Sequence, residues 1–362
     1  MNYLDEFRNK ALVQKTVAKI HALSKKKITL MEVCGGHTMV IQKTGIPGLL
    51  PETITLISGP GCPVCVTDHK FIDTAIAYAR QKNVMIATFG DLMRVPGSSS
   101  SLNAEKAQGA DIRVVYSSLD ALHLARQHPE KKVIFLAIGF ETTAPGNAVA
   151  IREAQRHQLD NFLVLSAHKR MPPAMSAIIR EGVRINGYIA PGHVSTITGA
   201  DIYRFIPEQY HLPVVVSGFE PLDILQSILL LVKQAEKDEA RVEIQYQRVV
   251  SPKGNVKAQN IVNEVFEPED SWWRGLGILP ESGLKIKPAY KTHDALIQLP
   301  INVPETKEPR GCICGEILKG LKKPSDCRLF GTLCTPVSPV GACMVSNEGA
   351  CQALFRYRMR GD

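Results

Sequence analysis

The 362-residue chain has no apolar run that would span a bilayer: its longest, residues 224–232, is broken by Gln226 and Ser227 and falls far short of the ~20 residues needed. An export signal is also missing, because MNYLDEFRNKALVQKTVAKI carries Asp5, Glu6 and regularly spaced Lys and Arg where an apolar core would stand. That segment reads as an amphipathic surface helix, and the protein is expected to be soluble and cytoplasmic. No Walker A sequence occurs, which disfavours a P-loop nucleotidase. Gly59 and Gly61 lack the third glycine of a dinucleotide fingerprint, with Val64 in its place. The net charge of +8 is dispersed, dense only at residues 25–27 and in FRYRMRGD. A solvated helix end and a basic tail explain those spots, so neither a nucleic-acid nor a membrane partner is expected.

Cysteine, by contrast, is plentiful. There are nine, an odd number that leaves one over in any disulfide scheme. In a reducing compartment such a count points to metal ligation and thiol chemistry, not to a disulfide framework.

The chain is 44% hydrophobic and long enough for two or three domains. Over residues 28–232 short β-branched runs (ITLMEV, TITLIS, VMIATF, DIRVVY, VIFLAI, NFLVLS, INGYIA, PVVVS) alternate with helical patterns, the signature of a parallel α/β region. In DHKFIDTAIAYARQ the residues Phe71, Ile72, Ala75, Ile76 and Ala79 share one helical face. Gly-Phe-Glu recurs after two strands, around Glu141 and Glu220, and hints at two similar lobes divided near residues 117–120. The expected organisation is α/β: two Rossmann-like parallel-sheet lobes, 1–118 and 119–238, and a carboxyl-terminal segment, 239–362, ending in an iron-sulfur domain. After Glu236 the chain turns polar and is punctuated by Pro and Gly around SWWRGLG, with VEIQYQRVV strand-like at its start.

The last 51 residues contain Cys312, Cys314, Cys327, Cys334, Cys343 and Cys351 but no periodic apolar pattern and no His among the cysteines. Such a segment needs something other than a hydrophobic core to order it. All-thiolate ligation admits a structural zinc or an iron-sulfur cluster, and the irregular spacing suits a four-iron, four-sulfur cluster better than paired C-x2-C hairpins. Spacing alone does not choose four ligands out of six.

Two further thiol motifs follow predicted strands, where open α/β sheets place their ligands. In MEVCGGHT, Cys34 precedes a sharp Gly35-Gly36 turn and His37 opens a helix, so the helix dipole is expected to lower the thiol pKa. In SGPGCPVCVTD, Cys62 and Cys65 form a C-x2-C pair placed like a thioredoxin-type dithiol. Glu141, His168, His193 and Glu220 stand at other strand ends. Each alone suits a helix cap or a satisfied structural group, but together they would line one cleft with the thiols.

In this order MEVCGGHT, GPGCPVC, TFGDLMRVPG, GFETTAP, APGHVS, GFEPLD, WRGLG and MVSNEGAC resemble the HypD family of nickel-iron hydrogenase maturation proteins, over residues 31–357 or so. The resemblance implies two α/β domains, a cluster-bearing third, and a scaffold on which an iron atom acquires cyanide and carbon monoxide as Fe(CN)2CO. The implied partners are a small HypC-type protein and a HypE-type carrier, which holds cyanide as a thiocyanate made with HypF. It implies Cys34 as an iron ligand shared with a HypC cysteine, Cys62 and Cys65 as a dithiol for electrons or iron, and His37 as a polar helper. Glu141 and His193 complete the candidate reactive set. Cluster ligands implied by the family pattern are Cys314, Cys327, Cys334 and Cys351, which leaves Cys312 and Cys343 without a role. Met39 departs from the family, many of whose members carry His there. Such a protein is a redox-active assembly scaffold more than a conventional turnover enzyme. The competing reading is an iron-sulfur-dependent thiol-disulfide oxidoreductase.

Overall fold

In the computed structural model residues 6–358 are described. Residues 1–5 of the amino-terminal segment and MRGD of the basic tail lie outside the described residues. The expected amino-terminal helix is α1 (Lys10–Leu23), started by Asn9, whose side chain accepts hydrogen bonds from the Ala11 and Leu12 amides. Three more helices lead into the first half of the molecule: α2 (Gly35–Lys43), α3 (Pro63–Val66) and α4 (His69–Ala79). The stripe read from α4 is buried along its length, and Asp68 caps its start. Among the described residues no helix is long and apolar enough to cross a membrane.

All eight strand-like runs before residue 218 form strands: β1 (Ile28–Glu32), β2 (Ile54–Ser58), β3 (Val84–Thr88), β4 (Ile112–Val114), β5 (Lys132–Gly139), β6 (Phe162–His168), β7 (Gly187–Pro191) and β8 (Val214–Ser217). Of VEIQYQRVV only β9 (Val242–Ile244) joins them. Every residue of β3, β7 and β8 is buried, which explains why these strands read as continuous apolar runs: a parallel sheet covered on both faces has no solvent side to alternate with.

The strands assemble into two parallel sheets, ordered β2-β1-β7-β8-β9 and β4-β3-β5-β6. The chain leaves the first sheet after β2, builds the whole of the second, and returns at β7. The division expected near residue 118 therefore runs between β4 and β5, inside the four-stranded sheet. Alternating strands and helices reveal that βαβ units exist but not which strands pair, because crossover helices look alike whether or not the chain changes sheets. The two Gly-Phe-Glu copies do fall one to each sheet, after β5 and after β8.

Sequence reasoning did not anticipate an antiparallel hairpin in the polar segment, β10 (Phe266–Trp273) with β11 (Gly277–Ile286). Its tip is WRGLG. Gly275 has φ 84°, and a Cβ there would stand 2.5 Å from the Gly315 carbonyl oxygen, so only glycine allows the turn to meet the cysteine-rich region. Trp273 is fully buried, stacks on Phe140 and donates its indole N–H to Ser282. Arg274, 4% exposed, donates from Nε to the Cys65 carbonyl and from one terminal nitrogen to the Thr67 carbonyl, both at 2.9 Å, while the other pairs with Glu308 at 2.7 Å. The hairpin thus holds the C-x2-C loop, the loop after β5 and the carboxyl-terminal region against one another.

That region has little regular structure beyond the helices Cys314–Leu318 and Ala350–Arg358. Replacing Arg274 with Lys keeps a charge but loses the planar fork that serves three acceptors at once. A loss of roughly 2–4 kcal/mol is expected, read as a lower denaturant midpoint of the iron-free protein.

Candidate metal and redox centre

Strands β2, β1, β7 and β8 are neighbours and all run the same way, so the four segments that follow them emerge side by side along one edge. After β2 comes the Cys62-Cys65 loop, after β1 Cys34 and His37, after β7 His193, and after β8 Phe219. Cys34 occupies the position before α2, where the sequence places it, and Cys62 the position before α3. The two loops touch through backbone: the Gly35 amide donates to the Gly61 carbonyl, and a Cβ on Gly61 would lie 2.1 Å from the Cys34 nitrogen.

The Cys34 sulfur is buried, 3.6 Å from His193 Nδ1. His193 is tilted against Phe219, which also stacks on His37 at a centroid distance of 4.9 Å. His37 is fully buried, and its Nε2–H donates to the Gly218 carbonyl at 3.0 Å and faces that of Ser217 at 3.3 Å. With both neighbours acceptors, Nε2 carries the proton and Nδ1 keeps a lone pair, buried and without a partner.

The expected low thiol pKa at Cys34 is overturned. Burial pushes the thiol well up, helped by Glu348 and Glu32, and the amides of His37 and Gly36 at the helix start recover only part of that cost. Burial likewise lowers His193 to about 4 and, with His193 beside it, His37 to about 4. Cys34 and His193 are therefore a thiol and an imidazole, both neutral, not a thiolate and an imidazolium. Two acids behind this site escaped sequence reasoning. Glu32 accepts from the Cys34 amide at 2.9 Å and from the Thr38 hydroxyl at 2.5 Å, and burial raises it to about 8. Glu348 packs so closely on α2 that a Cβ at Gly35 would meet its own Cβ at 2.3 Å. An acid ending a buried strand and the Glu of MVSNEGAC were the available signals. Phe219, set between two imidazoles, lay in GFEPLD but carries no polar group to draw notice.

Cys62 and Cys65, expected as a dithiol or as iron ligands, are joined as a disulfide. In that form neither has a thiolate to give a metal. Cys65 lies against the Ala342 carbonyl, next to Cys343. Cys343 is in turn bonded to Cys314, one of the four expected ligands. All six carboxyl-terminal cysteines line one small cavity whose other walls include Ile317, Leu329, Phe330 and Met344. Those left with free thiols are Cys312, Cys327, Cys334 and Cys351. Burial raises the thiol pKa of Cys312 and of Cys351, and both feel Cys327 and Cys334 in the cavity. Gly341 gives Cys312 its room, since a Cβ there would come within 2.5 Å of the sulfur. This clustering of thiols suits a metal site. Among the described residues no group of three or more His, Cys, Asp or Glu is spaced to hold a single ion.

Glu141 follows a strand of the other sheet, and His168 ends one. His168 is satisfied by Asn147 and Ser166 at 2.7 and 3.1 Å, and Glu220 caps the helix Pro221–Glu236 and pairs with Arg8. Glu141 accepts the Met171 amide through Oε1, while Oε2 is buried without a partner at a separate cleft lined by Arg170, Ile197 and Gln259.

Comparison with known proteins gives a consistent result. The model of a family described as HypD, hydrogenase formation, matches residues 11–358. The chain is 47% identical to a hydrogenase expression/formation protein of Methanocaldococcus jannaschii, over 97% of this chain and 98% of that one. It is 47% identical to the hydrogenase maturation factor HypD2 of Bradyrhizobium diazoefficiens (99% and 97% covered). With the hydrogenase maturation factor HypD of Cupriavidus necator the identity is 45%, over the same shares.

Burial raises Glu141 to about 7, so the folded protein holds its proton where the unfolded chain, ionised above about 4.5, has lost it. Folding is penalised increasingly as pH climbs from 4.5 through 7. Glu141→Gln cannot ionise and escapes the penalty. Between pH 4 and pH 8 its stability relative to the parent should rise by about 3 kcal/mol, measured by denaturant unfolding at both pH values.

Proposed function

Since the chain belongs to the HypD family of hydrogenase maturation factors, we propose that the Cys34 cleft is where the iron of a nickel-iron hydrogenase receives its cyanide and carbon monoxide ligands. The observation that carries this reading is the convergence of a buried thiol, an imidazole 3.6 Å away and a C-x2-C pair on one sheet edge. The iron is cargo. Cys34 gives up its proton on binding it, and His193 Nδ1 is the nearest base to take that proton. His37 Nδ1, unpaired and buried, offers a fixed acceptor dipole nearby. A HypC-type partner supplies the second cysteine to the iron, and a HypE-type partner brings cyanide as a thiocyanate.

Breaking the carbon-sulfur bond of that thiocyanate takes two electrons, which Cys62 and Cys65 provide as thiols. The carrier leaves with a thiol, hydrogen cyanide is released toward the iron, and Cys62–Cys65 becomes the disulfide. Two protons and two electrons pass from the dithiol, so the exchange balances. The cavity next door suits a four-iron, four-sulfur cluster held by Cys312, Cys327, Cys334 and Cys351, with Cys312 in the place expected for Cys314. Four thiols facing one apolar cavity do not ionise together without a cationic group among them. Bound there, the cluster supplies single electrons. Cys314–Cys343, set between that cavity and Cys65, is the pair through which Cys62–Cys65 is restored. A free-standing thiol-disulfide oxidoreductase would leave the Cys34 and His193 pairing without use.

Infrared spectra of the protein purified with its small partner are expected to show iron-bound cyanide and carbon monoxide. Both sets of bands should be absent from Cys34→Ala, and their survival would sink the scaffold reading. About four irons per chain are expected in anaerobic protein. Ser at position 312, 327, 334 or 351 should lose most of that iron, whereas Cys314→Ser and Cys343→Ser should keep it. Retention of iron by Cys312→Ser together with its loss from Cys314→Ser would reverse the assignment.

A further inference from the structure

A closed set of thiols and disulfides has no net source of electrons, yet the proposed cycle consumes two for each cyanide released. The reductant must come from outside, and the shape of the cysteine-rich region limits where it can approach. Cys334, Cys351, Cys314 and Cys343 are buried, while Cys312 and Cys327 are only half-buried. The surface nearest the cavity is therefore the one that these two thiols share.

That surface has a definite character. Position 311 lies against Leu329, 3.7 Å from a Cβ built on Gly311, which sets the turn leading into Cys312 beside the turn after Cys327. The flanking residues Arg310 and Arg328 are both exposed, and neither is in an ion pair among the described residues. The turn closes where the Cys334 amide donates to the Leu329 carbonyl at 2.8 Å, and it pushes Leu333 outward, 70% exposed. Val337, 94% exposed, follows in the next turn. Two unpaired guanidinium groups beside half-buried thiols, with exposed apolar side chains in the turns that follow, have the composition of a transient electron-transfer contact.

We propose that this surface docks a small acidic one-electron carrier protein that feeds electrons into the cysteine cavity. The proposal rests on reading the cavity as a cluster site. Each encounter delivers one electron and oxidises one carrier. Two encounters and two protons turn one disulfide into two thiols, leaving two oxidised carriers. Unpaired arginines also explain why an acidic partner is favoured over a neutral one: steering by opposite charge speeds encounter without demanding a large interface.

The test uses full-length, iron-loaded protein under anaerobic conditions and a plant-type ferredoxin as the acidic carrier. Binding of oxidised ferredoxin is measured by titration calorimetry, and the appearance of free thiols is followed with reduced ferredoxin or with dithionite. The double variant Arg310→Glu, Arg328→Glu should bind ferredoxin about tenfold more weakly or worse and form thiols correspondingly slowly with it. Its rate with dithionite and its iron content should be unchanged. Wild-type binding should weaken with salt, and the double variant should lose that dependence. If the double variant loses iron, Leu333→Asp carries the comparison. Equal affinity and equal thiol formation in an iron-loaded variant overturn the docking surface. So does loss of binding to the cyanide carrier with the ferredoxin rate intact, which would assign the patch to that partner. An iron-free wild-type chain defeats the cluster reading by metal analysis alone, a failure distinct from either.

Discussion

The buried guanidinium of Arg274 is the constraint on which the arrangement of this molecule depends. It reaches from the tip of an antiparallel hairpin to two carbonyls of the C-x2-C loop and to Glu308, and it does so from a position almost closed to water. A buried charge is tolerated only when its donors are satisfied, so the hairpin, the loop and the approach to the cysteine-rich region are tied to a common geometry. Gly275 and Gly315 then bring the backbones of hairpin and cysteine-rich region into direct contact. That contact adds to the direct approach of Cys65 to the Ala342 carbonyl in fixing the Cys62–Cys65 pair beside Cys343. The joint itself contains no redox group.

At the sheet edge the governing balance is between burial and the helix start. The amides at the beginning of α2 favour an anion at Cys34, but a fully enclosed sulfur flanked by Glu32 and Glu348 favours the neutral thiol, and burial is the larger effect. A free, reactive thiolate at this position would invite oxidation and disulfide exchange with the neighbouring pair. Enclosure suppresses that chemistry. Glu32 fixes the backbone of Cys34 by accepting its amide, and Phe219 fixes both imidazoles by lying between them.

Much of this was legible in the sequence, for identifiable reasons. Strands β1 to β8 could be read because parallel strands buried on both faces are short apolar runs, and the stripe of α4 because one helical face is covered. Cys34, Cys62 and His193 could be placed at strand ends for the same reason. Sheet membership could not be read: only pairing distinguishes β5 from β8, so the sequence does not show that Glu141 and Cys34 follow strands of different sheets. The sign of the Cys34 shift was hidden because burial of the sulfur sets it, and burial is a property of the packed fold to which even Glu348, more than 300 residues away in the chain, contributes. Spacing also left Cys312 and Cys314 indistinguishable. They flank one residue, and only the position of Cys343 decides which of them is taken up by a disulfide. The hairpin was missed because its strands are half-exposed and carry Pro268, Gly277 and Gly283, which read as punctuation.

The two sulfur-rich sites share a principle that bears on the order of assembly. In both, burial holds thiols protonated, and in both the neighbours that raise the pKa are other potential anions: carboxyls around Cys34, fellow thiols around Cys351. A metal entering either site must displace protons, so occupancy is coupled to proton release and to the ordering of the surrounding chain. The cysteine-rich region has few regular elements to hold it without that gain, whereas Cys34 sits on a sheet whose strands are already paired. On the function proposed above, a resident group in the cysteine cavity completes the packing on one side, and the cargo iron binds at a sheet edge whose strands are paired without it. A scaffold of that kind keeps its electron site within the packing and its transient metal site on a finished edge.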